Sequence, residues 1–85
     1  MKLVLARDAE KSLGRLPVSV RANFIARLKA IAADPAGLKH HRHLNVKDFG
    51  AGKYRLRVTK WRAVFQVTDE AMVVTVIDKR EDVYR

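Results

Sequence analysis

Fourteen residues in the second half of the chain, Tyr54-Arg55-Leu56-Arg57-Val58-Thr59-Lys60-Trp61-Arg62-Ala63-Val64-Phe65-Gln66-Val67, constrain the fold more than any other segment. They alternate large apolar residues with arginines. Side chains on a strand alternate faces with a period of two. A two-residue turn at Thr59-Lys60 therefore predicts a β-hairpin that sets Val58 opposite Trp61, Arg57 opposite Arg62, Leu56 opposite Ala63, Arg55 opposite Val64 and Tyr54 opposite Phe65. One face then reads Tyr54, Leu56, Val58, Trp61, Ala63, Phe65 and Val67, which is a core surface. The other carries Arg55, Arg57 and Arg62. Like charges directly opposite one another on a sheet are destabilising, by roughly 0.2–1 kcal/mol. A small protein that keeps such a pair is expected to meet an anion there, and a phosphate backbone is the anion that suits it.

The flanking segments supply a partner for the core face. Lys2 to Ala6 reads as a short strand, and Asp8 as the N-cap of a brief helix through Leu13 with Gly14 near its end. Pro17 suits the opening of a second helix, because its missing N–H is no loss in a first turn. From Val18 to Ala33, Val20, Phe24, Ile25, Leu28, Ile31 and Ala32 recur at spacings of three and four, an apolar helical stripe opposite Arg21, Arg27 and Lys29. Leu13, Leu16, Phe24 and Leu28 are the expected contacts of a helical hairpin, and Asp34-Pro35-Ala36-Gly37 ends it. A short strand is predicted around Leu44-Asn45-Val46, then a turn at Gly50-Ala51-Gly52. After the hairpin and a turn at Thr68-Asp69-Glu70-Ala71, Met72 to Ile77 reads as an unbroken β-branched strand in the middle of a sheet. The order β-α-α-β-β-β-β predicts an α+β fold: a small, twisted, antiparallel-rich sheet with an N-terminal strand and two helices on one face. The polarity of that first strand stays open.

Eighty-five residues fit a single domain, 1–85, of modest stability. There is no cysteine, so neither a disulfide nor a thiolate metal site holds the chain together. The opening residues are charged too early for a signal peptide, and no apolar stretch is long enough to span a membrane. A cytoplasmic location with no membrane partner is expected. The net charge of +9, from 18 Lys and Arg against 9 Asp and Glu, points to a nucleic acid, an acidic protein partner, or both.

Two groups besides the hairpin arginines carry possible chemistry. Cleavage of RNA through a cyclic phosphate needs a base for the ribose 2′-OH, cations for the pentacoordinate phosphorane, and an acid for the leaving 5′-oxygen. Arg57 and Arg62 form a candidate clamp, since a guanidinium fork holds two phosphate oxygens at once. Arg80 and Tyr84 follow the last strand; Tyr84 reads either as a ring packed on the domain edge or as a phenol that stacks on a base or exchanges a proton. His40, His41 and His43 titrate near neutrality and are candidate acid–base groups. They also read as part of a basic loop, Leu38 to His43, and no acidic partner at metal-ligand spacing completes a zinc set. Trp61 reads as packing.

With these residues together, the chain resembles the RelE/ParE superfamily of bacterial toxins from type II toxin–antitoxin systems, and within it the RelE-like mRNA endoribonucleases. The resemblance spans the N-terminal strand, the helical hairpin ending at Asp34-Pro35, Tyr54 to Val58, Trp61 to Phe65, and Lys79-Arg80-Glu81-Asp82-Val83-Tyr84-Arg85. It implies a ribosome-dependent endoribonuclease that needs no metal or other cofactor, cuts mRNA in the ribosomal A site by 2′-OH attack to leave a 2′,3′-cyclic phosphate, and so inhibits translation. It implies that Arg62 stabilises the phosphate, that Arg80 assists, and that Tyr84 orients or deprotonates the attacking group. Arg55, Arg57, Lys53, Lys60 and Lys79 would bind RNA phosphates. Arg55 and Arg57 stand where the family often has lysine, and arginine does not serve as a base, so that role passes to Tyr84 or a histidine. The implied partner is an acidic antitoxin that folds over the basic face and mediates any contact with operator DNA. The ParE-like branch, which inhibits DNA gyrase without catalysis, is the alternative. An inactive member acting only as a corepressor is a third.

Overall fold

A computed structural model of the chain describes residues 1–34 and 46–79. Its centre is the predicted hairpin. Strands β3 (Lys53–Val58) and β4 (Trp61–Val67) pair antiparallel with Val58 on Trp61, Arg57 on Arg62, Leu56 on Ala63, Arg55 on Val64 and Tyr54 on Phe65. The turn between them has positive φ at Thr59, 54°, and not at Lys60. Positive φ at the first central position alone is the pattern of type II′ turns, whose twist matches that of the flanking strands.

The remaining strands extend this hairpin to a five-stranded sheet in the order β1-β5-β4-β3-β2. Strand β2 (Val46–Asp48) lies antiparallel on β3, and β5 (Ala71–Lys79) antiparallel on β4. Strand β1 (Lys2–Leu5) joins parallel to β5, which settles its polarity. The sheet is therefore mixed but mainly antiparallel. Between β1 on one edge and β2 on the other lie helices α1 (Arg7–Arg15) and α2 (Val18–Ala33). Helix α1 approaches β5, and α2 approaches β1 and β3. The apolar stripe of α2 behaves as predicted: Phe24, Leu28, Ile31 and Ala32 are buried, with Val20 and Ile25 at the margin. Leu13 and Leu16 join them against Leu56, Val58, Ala63, Phe65, Met72, Val74 and Ile77. The Tyr54 and Phe65 rings stack across β3 and β4 with centroids 5.5 Å apart, and Trp61 and Val67 pack on the rim of the core. Neither helix is long and apolar enough to cross a membrane.

Three local expectations need correction. Ala6, not Asp8, is the N-cap of α1, with no side-chain cap bond. Asp8 and Glu10 instead occupy the first turn and Arg15 the last, where their charges oppose the helix dipole. The helix also runs two residues beyond Leu13 to Arg15, with Gly14 near its end as expected. The strand expected around 44–46 falls partly outside the described residues; within them β2 spans Val46–Asp48, and Asp48 Oδ1 accepts a 2.7 Å hydrogen bond from Gly50 N–H that starts the turn. Finally, β5 is broken by a bulge. Val64 pairs with Val76 but Phe65 with Val74, so Thr75 is an extra residue, and its hydroxyl donates to Val64 O at 3.3 Å.

Gly14 leads to a simple prediction. Glycine inside a helix is unfavourable by about 0.5–1 kcal/mol relative to alanine, and a Cβ placed there meets nothing within 4 Å. Gly14→Ala is expected to raise the thermal midpoint by about 4 °C for a domain of this size, as read by circular dichroism melting.

Candidate functional site

The face of the sheet away from the helices is organised in cross-strand rows. One row runs Arg57–Arg62–Asp78, from β3 through β4 to β5. The next runs Lys47–Arg55–Val64–Val76, and a third Lys53–Gln66–Val73–Val4. The face is thus cationic over β2, β3 and the turn end of β4, with Asp78 opposite Arg62, and mainly apolar over the rest of β5 and β1. Arg55, Arg57 and Arg62 share it, as their alternation predicts.

Their environments differ. Arg62 is 3% exposed and is the one buried charged side chain among the described residues. It is held by other contacts, although its Nε and Nη1 are buried and donate no hydrogen bond. Central position in the sheet explains part of this burial, since β4 is flanked on both sides by paired strands. Arg57 is exposed. Its Nε donates to Thr59 O at 2.8 Å, tying the side chain to the strained turn, and Arg57 O accepts a 3.4 Å bond from Arg27 Nη1 on α2. Arg55 is half-buried, with its guanidinium carbon 5.3 Å from the centroid of the Phe49 ring.

Lys53 is exposed on the same face, and Lys60 is exposed in the turn. Lys79 is in register with Trp61, not with an arginine. The side chain of Lys79, together with Arg80, Tyr84, His40, His41 and His43, lies outside the described residues.

Three residues on this face escaped the sequence reading. Asp78 stands directly across from Arg62 because the Thr75 bulge resets the alternation of β5: Met72 and Val74 face the core before it, Ile77 after it. Without the bulge Asp78 would have core parity. Lys47 pairs with Arg55 across β2 and β3, and its Nζ lies 5.4 Å from the Phe49 ring centroid. Phe49 is 48% exposed. An exposed phenylalanine in a basic, glycine-rich turn was the available signal.

Solved structures share this architecture. The RelE–RelB complex of the archaeon Pyrococcus horikoshii matches with a TM-score of 0.78 at 19% identity, covering 93% of each chain. The RelB–RelE complex of Methanococcus jannaschii matches at 0.73 and 17%, covering 95% of this chain and 94% of that one. The free RelE toxin of E. coli, as an arginine-to-alanine double mutant, matches at 0.73 and 22%, covering 95% and 84%. These likenesses establish the fold. No curated protein is similar enough in sequence to match. One family model does match, described as the ParE toxin of the type II toxin–antitoxin system parDE, and it spans residues 3–84. The chain therefore belongs to the ParE toxin family, within the RelE/ParE superfamily of type II toxin–antitoxin toxins.

Proposed function

We propose that this toxin is an endoribonuclease that cleaves mRNA on the ribosome without a metal, using the ribose 2′-OH as nucleophile. The observation that carries the reading is the guanidinium of Arg62, 3% exposed at the centre of the Arg57–Arg62–Asp78 row. Burying a charge is costly, and well-packed apolar residues in its place are often neutral or stabilising. A cation fixed on a central strand is, however, what a developing phosphorane dianion requires, because no reorganisation remains at the moment of reaction. Exposed Arg57, in register with Arg62, meets the phosphate first.

In this mechanism the 2′-oxygen attacks the adjacent phosphorus and loses its proton to Tyr84 or to one of His40, His41 and His43. Arg62 and Arg57 hold the non-bridging oxygens as negative charge builds. The P–O5′ bond breaks, Arg80 assists protonation of the departing oxygen, and the products are a 2′,3′-cyclic phosphate and a 5′-hydroxyl. Lys53, Arg55 and Lys60 hold neighbouring phosphates, with Lys79 a further candidate. An acidic antitoxin that folds over this face in the cytoplasm silences the toxin by charge complementarity and apolar burial. The complexes with RelB formed by its structural relatives support such a partner.

A second reading, gyrase inhibition without catalysis, is supported by the match to the ParE family model. A reconstituted translation reaction with mRNA ends mapped by primer extension, run beside a supercoiling assay, separates the two. Cuts confined to ribosome-engaged message support the ribonuclease. Intact message with blocked supercoiling reduces the arginine face to a docking surface.

Single substitutions of the outer arginines are expected to give intermediate losses of cleavage. Each of Arg55→Ala and Arg57→Ala should lower the slope of log affinity for single-stranded RNA against log salt by about 0.7. Arg57→Ala should leave stability nearly unchanged, because loss of the exposed bond to Thr59 O, about 1 kcal/mol, is offset by relief of the like-charge pairing with Arg62. Identical salt slopes for both variants and wild type would remove these residues from the phosphate path.

A further inference from the structure

We propose that Phe49, with Lys47 and Arg55 beside it, is a stacking platform for one base of a single-stranded RNA. This rests on the ribonuclease reading and extends it to a contact that holds the substrate a few nucleotides from the cleaved bond. The ring lies just beyond β2, at the start of the turn that leads into β3. It keeps 48% of its surface exposed, while Lys47 Nζ and the Arg55 guanidinium carbon lie 5.4 and 5.3 Å from its centroid.

A half-exposed phenylalanine beside two cations has little to recommend it as packing, since it lies outside the core cluster of the described residues. As a ligand site it has both halves of what single strands offer. Bases stack on aromatic rings and on guanidinium planes, and the flanking phosphates pair with the cations. An acidic peptide would use the cations but gain less from the ring.

The turn itself is built to hold the ring in place. Phe49 N–H donates to Lys53 O at 2.9 Å, Gly50 N–H to Asp48 Oδ1 at 2.7 Å, and Gln66 Nε2 to Ala51 O at 2.8 Å. Phe49 lies level with Lys53, two strands and two rows from Arg62, on the order of 16 Å away. That distance suits a base a few nucleotides along the strand from the reacting phosphate rather than the reacting nucleotide. Stacking accepts any base, so the platform contributes affinity and positioning and no sequence preference.

The test uses two probes, a fluorescent five-nucleotide oligoadenylate and a base-free ribose-phosphate oligomer of the same length, titrated against the whole chain. Phe49→Ala is expected to weaken oligoadenylate binding roughly ten-fold or more and to leave the base-free oligomer unchanged. Phe49→Trp should retain wild-type binding, and Arg55→Ala should weaken both probes. Equal effects of Phe49→Ala on the two probes, or none on either, overturn the platform. So does a Phe49→Ala variant that loses only its complex with the cognate antitoxin, which would make the ring a protein contact. Message cleavage is scored separately on ribosomes. A wild-type chain that cuts no message refutes the ribonuclease reading while the two-probe comparison still decides the platform. Cleavage with an unaltered Phe49→Ala binding profile refutes the platform alone.

Discussion

Arg62→Met is expected to abolish message cleavage, by roughly 10²–10³-fold or more, while the folded domain persists. Methionine keeps an unbranched apolar stem of similar length in the buried site and removes the charge. Methionine fills the buried site, but half-buried Asp78, across the ladder, loses a cationic neighbour, so the thermal midpoint should fall, with the domain still folded at the assay temperature. Arg62→Lys should lie between the two, since an ammonium supplies charge without the fork that grips two oxygens. The measurement is primer extension on ribosome-engaged message, with circular dichroism melting on the same preparations. Retained cleavage by Arg62→Met would end the catalytic assignment. Loss of both folding and cleavage would instead identify the Arg57–Arg62–Asp78 row as a structural ion network.

The part of this site that was legible in the sequence is the part built from neighbours in the chain. The β3–β4 hairpin is closed by two residues, so alternation alone fixes its register, and every pair from Tyr54–Phe65 to Val58–Trp61 follows. Helix α2 was legible for the same reason: its stripe repeats over sixteen residues and is stopped at Asp34 before a proline. Features that depend on distant partners were not legible. Nothing in Lys2–Leu5 states that it runs parallel to β5, because that choice depends on how the helices return the chain. The Thr75 bulge is hidden in a run where nearly every residue is β-branched, so either face can be apolar and the pattern shows no break. Bulges bend and twist the strand that carries them and are over-represented beside functional sites, and here the bulge is what brings Asp78 onto the face of Arg62.

The burial of Arg62 was hidden for a related reason. An arginine on a sheet face without helices reads as solvated, since alternation reports which side a residue takes and not what covers that side. The family resemblance, by contrast, was carried by short combinations such as Trp61-Arg62-Ala63-Val64-Phe65 that survive at low identity. It reached the superfamily correctly. It also pointed to the RelE-like branch, a choice that the ParE family model and the RelE structural matches together leave open.

Gly52→Ala is expected to be among the most destabilising single-methyl additions available in this fold, and Gly50→Ala only mildly so. Both glycines have positive φ, 83° at Gly50 and 78° at Gly52, so each substitution incurs the penalty of a left-handed residue, about 1 kcal/mol. They differ in what surrounds them. A Cβ at Gly50 meets nothing within 4 Å, whereas at Gly52 it lies 2.7 Å from the carbonyl oxygen of Val67 and 3.1 Å from Gln66 Nε2. The first of these is backbone, held in place because Val67 N–H donates to Gly52 O at 2.8 Å. Relief requires the turn to lift off the end of β4, adding roughly 1–3 kcal/mol. The sum, about 3 kcal/mol, is a large fraction of what a domain of this size has in reserve. Thermal midpoints should therefore fall by about 4 °C or more for Gly50→Ala and by about three times as much for Gly52→Ala. Because the same turn presents Phe49, Gly52→Ala should also weaken oligoadenylate binding at temperatures where the domain is still folded, and Gly50→Ala should not. Equal destabilisation by the two substitutions would show that φ alone governs this turn and that its docking on β4 is not what holds the ring in place.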